Sequence, residues 1–189
     1  MILGEYLENP PHVYFENQEK DEKIVLLLRA HVITLVPAVF IILILLATPI
    51  VVLSLLPMFG VNLAEVVRPE LLAAVVFFWY LFTAGYSFLQ FLLWFFNVYL
   101  VTNERLIDFD FHGFLLKTVS ETRLSKIQDV TSRIYGPVRT FFNYGDIFIQ
   151  TAGTEREFEF HAVPKPDLVA RIISEEIRKE EAEVPGEVR

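Results

Sequence analysis

The chain has 189 residues, room for one ordinary domain of about 100–200 residues or for a smaller domain plus something else. AVILMFWYC residues make up 53%, and the excess is concentrated: no Asp, Glu, Lys or Arg occurs from Ala30 to Ala64, nor from Leu71 to Asn103. Cysteine is absent, which excludes disulfides, thiolate metal sites and cysteine nucleophiles, and a net charge of −8 argues against a nucleic-acid partner, which needs a basic face.

Residues 1–30 form a Glu-rich N-terminal segment carrying Lys20, Lys23 and Arg29. Two apolar runs follow, Val32 to Leu56 and Leu71 to Phe96. A hydrocarbon core of about 30 Å needs about 20 helical residues to cross it, so each run predicts a transmembrane helix. Helix is required because every backbone N–H and C=O must be satisfied inside the segment. Residues 31–96 therefore read as a membrane α-helical hairpin with a short external loop. The first run is too long, and too far from the N-terminus, for a cleaved signal peptide. Pro37 and Pro49 fall within it, and a kink is expected near Pro49. The second run holds eleven aromatic residues and ends in Trp94, Phe95 and Phe96, with Tyr99 just beyond. Grouped aromatics of this kind settle at headgroup level, and Arg29 and His31 are placed to snorkel there. Arg29, His31, Trp94 and Tyr99 are thus the expected interface anchors.

Lys20, Lys23 and Arg29 precede the first run, and Arg68 is the one basic residue between the two. The positive-inside rule then puts both termini in the cytoplasm and Pro57 to Pro69 outside, in a multi-pass plasma-membrane protein. The apolar runs contain no ionisable Asp, Glu, Lys or Arg to mark a transport path, so they read as an anchor.

From Val98 the period changes. VYLVT, a turn at Thr102–Arg105 and RLIDFDF predict a hairpin, with Ile107, Phe109 and Phe111 alternating against Asp108 and Asp110. His112-Gly113 predicts the next turn and LLKTVS a third strand; LSKIQDVT is a less regular fourth. The chain breaks at Tyr135-Gly136-Pro137 and again at Asn143–Asp146, and then DIFIQT and REFEFH pair around Ala152-Gly153-Thr154. Leu168, Val169, Ile172, Ile173 and Ile177 form one stripe at helical spacing, opened by Pro166 and Asp167. Residues 97–182 thus predict a small α+β domain of antiparallel strands capped by a C-terminal helix, expected to supply its own core, and residues 183–189 a flexible tail.

Lys117, Arg123 and Lys126 are the candidate ligand patch, a small site for an anion or lipid headgroup; ordinary solvated charge on strand edges is the plainer reading. His12, His31, His112 and His161 fall at no metal-ligand spacing, and no cofactor is expected. Ser120, Ser125 and Ser132 lack a GxSxG context, and no Gly-rich phosphate loop occurs, so catalysis is not expected.

The order EKIVLLLRAH, two spans, VYLVTNERLI, LSKIQDV, GDIFIQTAG and VPKP resembles the bacterial membrane-flanked pleckstrin-homology-like (PH) domains of the YdbS-like kind, over Glu22 to Ile177. The resemblance implies a PH-like bent antiparallel β-sandwich of about seven strands with one helix plugging an end. In eukaryotic relatives of that fold, phosphoinositide binding uses several basic residues around the first hairpin. Here that turn, Thr102-Asn103-Glu104-Arg105, has one basic and one acidic residue, a departure from the pattern. The expected function is a membrane-anchored binding module that engages a protein partner, a further copy of itself or a lipid headgroup near the inner leaflet. The alternatives are a structural subunit of a larger membrane complex and, more distantly, a small membrane enzyme.

Overall fold

The computed structural model of the chain describes residues 4–11, 13–15, 17–61, 67–112, 116–152 and 158–182. The turns expected at Gly113 and at Gly153-Thr154, most of the loop between the apolar runs, His12 and the tail 183–189 lie outside the described residues. The chain divides into two units, residues 33–93 and residues 1–32 with 94–189.

The first of these holds most of two long helices, α1 (Val36–Leu55) and α2 (Pro69–Phe96). With its flanking 3-10 turns α1 extends over Val32–Phe59, so each helical stretch has 28 residues, about 42 Å of helix. Both are long and apolar enough to cross a membrane. Their polar side chains turn back onto their own backbone, Thr48 to the Ile44 carbonyl, Ser54 to Ile50, Thr83 to Trp79 and Ser87 to Thr83. Pro49 lacks the N–H that would bond the Leu45 carbonyl four residues earlier. The Trp79 indole N–H supplies that bond from α2 at 2.8 Å, and the Tyr80 hydroxyl reaches the Leu46 carbonyl at 3.3 Å.

In the second unit eight strands form two antiparallel sheets among the described residues. The first sheet runs in the order β1 (Tyr6–Glu8), β2 (Ile24–Leu28), β3 (Val98–Thr102), β4 (Arg105–His112), β5 (Leu116–Arg123). The second contains β6 (Ile127–Arg133), β7 (Tyr144–Thr151) and β8 (Phe158–Pro164). A seven-residue helix, α3 (Gly136–Phe142), joins β6 to β7, and α4 (Pro166–Ala182) follows β8. The main core draws Leu26, Leu28, Tyr99, Val101 and Leu106 from the first sheet and Ile147, Ile149 and Phe160 from the second; Val169 and Ile173 of α4 close it. Gly145 lies so close to the Arg133 carbonyl that a Cβ there would collide with backbone, which is why β7 crosses β6 at a glycine.

Three expectations need correction. Residues 1–30, read as a segment apart from the domain at 97–182, supply β1 and β2 to the first sheet, with β2 paired to β3 in the register Leu28↔Tyr99. Thus residues 97–182 lack two strands of their own sheet. The apolar face of β4 is covered, as its alternation predicts, but outside the main core, and the opposite face is covered too. Ile107 and Phe109 join Ile24, Leu27 and Leu100 in a second cluster on the outer face of the sheet, packed under Leu7, Val13 and Phe15, while Leu106 enters the main core. Both faces of the sheet are covered, so alternation in one strand does not reveal which side is inside. Finally, the break at Tyr135–Pro137 is the start of α3.

Candidate functional site

The two chain connections between the units leave from neighbouring, paired strands. Arg29, Ala30 and His31 separate β2 from the 3-10 turn Val32–Leu35, and Asn97 alone separates α2 from β3. Side chains at this junction are committed to backbone. Arg29 is 3% exposed; its Nε donates to the Phe95 carbonyl and its Nη1 to the Gly4 carbonyl, each at 2.9 Å, with the guanidinium 4.7 Å from the centre of the Phe95 ring. The last carbonyls of a helix have no intrahelical partner and form the negative end of its dipole, so a cation there is doubly favoured. Burial draws the Arg29 pKa down from its ordinary value, though a guanidinium remains charged. The Trp94 indole N–H donates to the Ala30 carbonyl at 2.7 Å, and the Asn97 side-chain oxygen accepts the Phe111 N–H at 2.7 Å.

His31 donates its backbone N–H to the Ala162 carbonyl at 2.7 Å, faces Glu5 at 3.5 Å and stacks its ring on Tyr144 at 5.1 Å. Tyr99, expected beside the headgroups, is buried. Alternation along β3 turns it into the sandwich, where its ring stacks on Phe160 at 4.4 Å and its hydroxyl accepts the His161 N–H at 3.1 Å. Burial, with Asp108, Asp110 and Asp146 nearby, pushes its pKa up, so the phenol stays neutral.

At the turn between β3 and β4, Arg105 is fully engaged. It pairs with the buried Glu22 at 2.9 Å through Nε and Nη2, with Glu121 at 3.0 Å, and donates to the Asn17 carbonyl at 2.8 Å. Thr102 adds a hydroxyl bond to Glu22 at 2.8 Å. Burial alone would raise the Glu22 carboxyl, but the hydrogen bonds from Arg105, the Glu19 N–H and Thr102 outweigh it and hold the pKa below the usual range. The one cation of this turn is thus neutralised by a carboxylate 83 residues away in sequence.

The candidate patch is not gathered at one point. Lys117 and Arg123 stand six positions apart on β5, about 20 Å along a strand. Lys117 leans over the Phe109 ring at 5.4 Å, and Lys126 lies in the 3-10 turn that follows Arg123. A group that local sequence did not flag is Asp146, which binds the Arg139 guanidinium and accepts the Ala162 N–H at 2.8 Å. Arg139 in turn lies 5.6 Å from the Tyr144 ring and ties α3 to β7.

The family description "Bacterial PH domain" matches residues 25–177, a stretch that begins in β2, takes in α1 and α2 and ends in α4. The chain belongs to this family. Among solved structures, this bacterial PH domain protein is similar to a DUF1696-family protein with a pleckstrin-homology domain from Shewanella loihica PV-4, at 21% identity over 43% of this chain and 68% of that one, with a TM-score of 0.32. No curated protein matches it. In this bacterial PH domain the one cation of the turn between β3 and β4 is held by Glu22.

Proposed function

We propose that the protein is a membrane-anchored binding module of the membrane-flanked, YdbS-like kind. Its PH domain engages a protein partner or a lipid near the inner leaflet, with binding rather than catalysis as its task, and both termini are cytoplasmic. One observation carries the reading: β2 and β3, neighbours in one sheet, lead into the two apolar helices through connections of three residues and one. Fully extended, three residues reach only about 10 Å. A domain so attached stays within about a Debye length of the headgroups, where charge is not screened away. Recruitment to the membrane then costs no binding energy, and a weak site is filled by high local concentration. The large apolar side chains exposed along α1 and α2, such as Phe40, Ile50, Phe77 and Phe82, support spanning over burial in a soluble core.

Purification of the intact protein from membranes, with lipids and proteins identified by mass spectrometry, tests the reading. A flexible linker of about ten Gly/Ser residues spreads over about 17 Å. Inserted at both connections, after His31 and after Phe96, such linkers lower recovery of the ligand while the domain stays folded. Unchanged capture contradicts the reading, and a fixed stoichiometric complex that tolerates both insertions favours a structural subunit.

A further inference from the structure

α3 is a helix without a buried residue. Seven residues are too few for a helix to stand on its own propensity, so something must fix it. The fixing comes from beneath: Arg139 is bound by the buried Asp146, and Asn143 closes the last turn in the left-handed conformation, its N–H donating to the Thr140 carbonyl. Beside Arg139, Val138, Phe141 and Phe142 form one exposed stripe, at i, i+3 and i+4, with Tyr135 one turn earlier. Their exposures are 56%, 82%, 47% and 56% in that order, and Phe141 packs edge-on against Phe142 at 5.0 Å. A soluble domain gains nothing by holding a ridge of aromatic rings in water.

Two further observations say what covers it. The first is position. The Phe142 ring lies 6.5 Å from the ring of His31, and His31 is followed directly by Val32, the first residue of the apolar stretch Val32–Phe59. The ridge therefore stands beside the point where the chain enters its first span. The second is charge. From Val130 to Gly145 there is no Asp or Glu, although the chain carries 24, while Arg133 and Arg139 fall inside that window. A short helix with exposed aromatic and aliphatic side chains on one face and Arg133 alongside, Arg139 being already paired with Asp146, matches an anionic lipid surface.

We infer that α3 is an interfacial foot: Tyr135, Val138, Phe141 and Phe142 insert among the headgroups of the bilayer that α1 and α2 span, with Arg133 facing anionic lipid. The inference rests on the membrane-anchored reading and gives its PH domain a third contact with the bilayer, besides the two chain connections.

The absence of native cysteine makes the test direct. The full chain, carrying Phe141→Cys, Val138→Cys, Thr140→Cys or Ile44→Cys singly with an environment-sensitive fluorophore attached, is reconstituted in phosphatidylcholine vesicles containing phosphatidylglycerol. Labels at 141 and 138 emit at shorter wavelength than the label at 140 and lose emission when spin-labelled lipid is included; the label at 140, on the opposite side of the helix, responds less. Quenching at 44 without quenching at 141 and 138 overturns the foot and leaves the membrane reading standing. No quenching at 44 removes both. A label at 141 shielded from aqueous iodide yet unquenched by lipid means that protein covers the ridge, which overturns the inference as well.

Discussion

The Trp79 indole N–H donates at 2.8 Å to the Leu45 carbonyl, the acceptor that Pro49 leaves without a partner. In an apolar surrounding a bare carbonyl is costly, and helix-to-helix hydrogen bonds in membranes contribute about 0.6 kcal/mol on average and up to about 1.7. Trp79→Phe keeps an aromatic ring and removes the donor, so it lowers stability in detergent by about 1 kcal/mol. Pro49→Ala restores an N–H within the helix, and in that background Trp79→Phe is close to neutral. Equal losses in both backgrounds, measured as thermal midpoints of the four proteins of the cycle, contradict the assignment.

Arg29 closes the end of α2 from a different strand. Replacing it with Ala removes charge-assisted bonds to the Phe95 and Gly4 carbonyls, a loss of about 1.5–3 kcal/mol. Arg29→Lys does not recover it, because an ammonium cannot reproduce the planar fork that meets two carbonyls and lies over a ring. Denaturant midpoints of the three proteins compare them; a Lys variant as stable as the parent contradicts the capping role.

Glu22 and Arg105 give the domain an acid-sensitive bond. The folded Glu22 pKa lies below its ordinary value of 4.5, so its contribution is complete above that pH and is lost as pH falls through the folded pKa. Glu22→Gln leaves the Arg105 charge with its best partner gone and costs about 3 kcal/mol at neutral pH. The gap between parent and variant then narrows below pH 4.5. A gap independent of pH contradicts the pairing.

The segment 97–189 alone does not fold, because it lacks β2. Without that strand the long edge of β3 is bare and Leu26 and Leu28 leave the core. Two fully buried leucines are worth about 3–6 kcal/mol together, a large part of the stability of a small domain. Fusing residues 4–32 to 94–189 through a Gly/Ser linker in place of residues 33–93 restores a cooperative melt. Such a melt from the shorter piece alone contradicts the topology.

Much of this was legible in the chain. The two charge-free runs announce α1 and α2, the Asn103-Glu104 turn falls between β3 and β4 as its alternation requires, and the stripe through Val169 and Ile173 does pack against the sheets. β2 was hidden because IVLLL is buried on both faces and shows no period of two. α3 was hidden because it is short and carries its apolar residues outward, the reverse of the usual rule. Glu22–Arg105 and Arg29–Phe95 join residues separated by the whole apolar hairpin, so no local spacing signals them. Lys117 and Arg123 are close in sequence, but the strand that carries both spaces them at about 3.3 Å per residue.

The central claim is that α1 and α2 span the plasma membrane with the PH domain inside. Single cysteines at Met58, between the helices, and at Asp129, on β6, are both exposed positions in a chain that has no other thiol. An impermeant thiol reagent applied to intact cells labels Met58→Cys and leaves Asp129→Cys unlabelled until the cells are opened, and both proteins stay with the membranes through an alkaline carbonate wash. Labelling of Asp129→Cys in intact cells, or release of the protein by carbonate, contradicts the account.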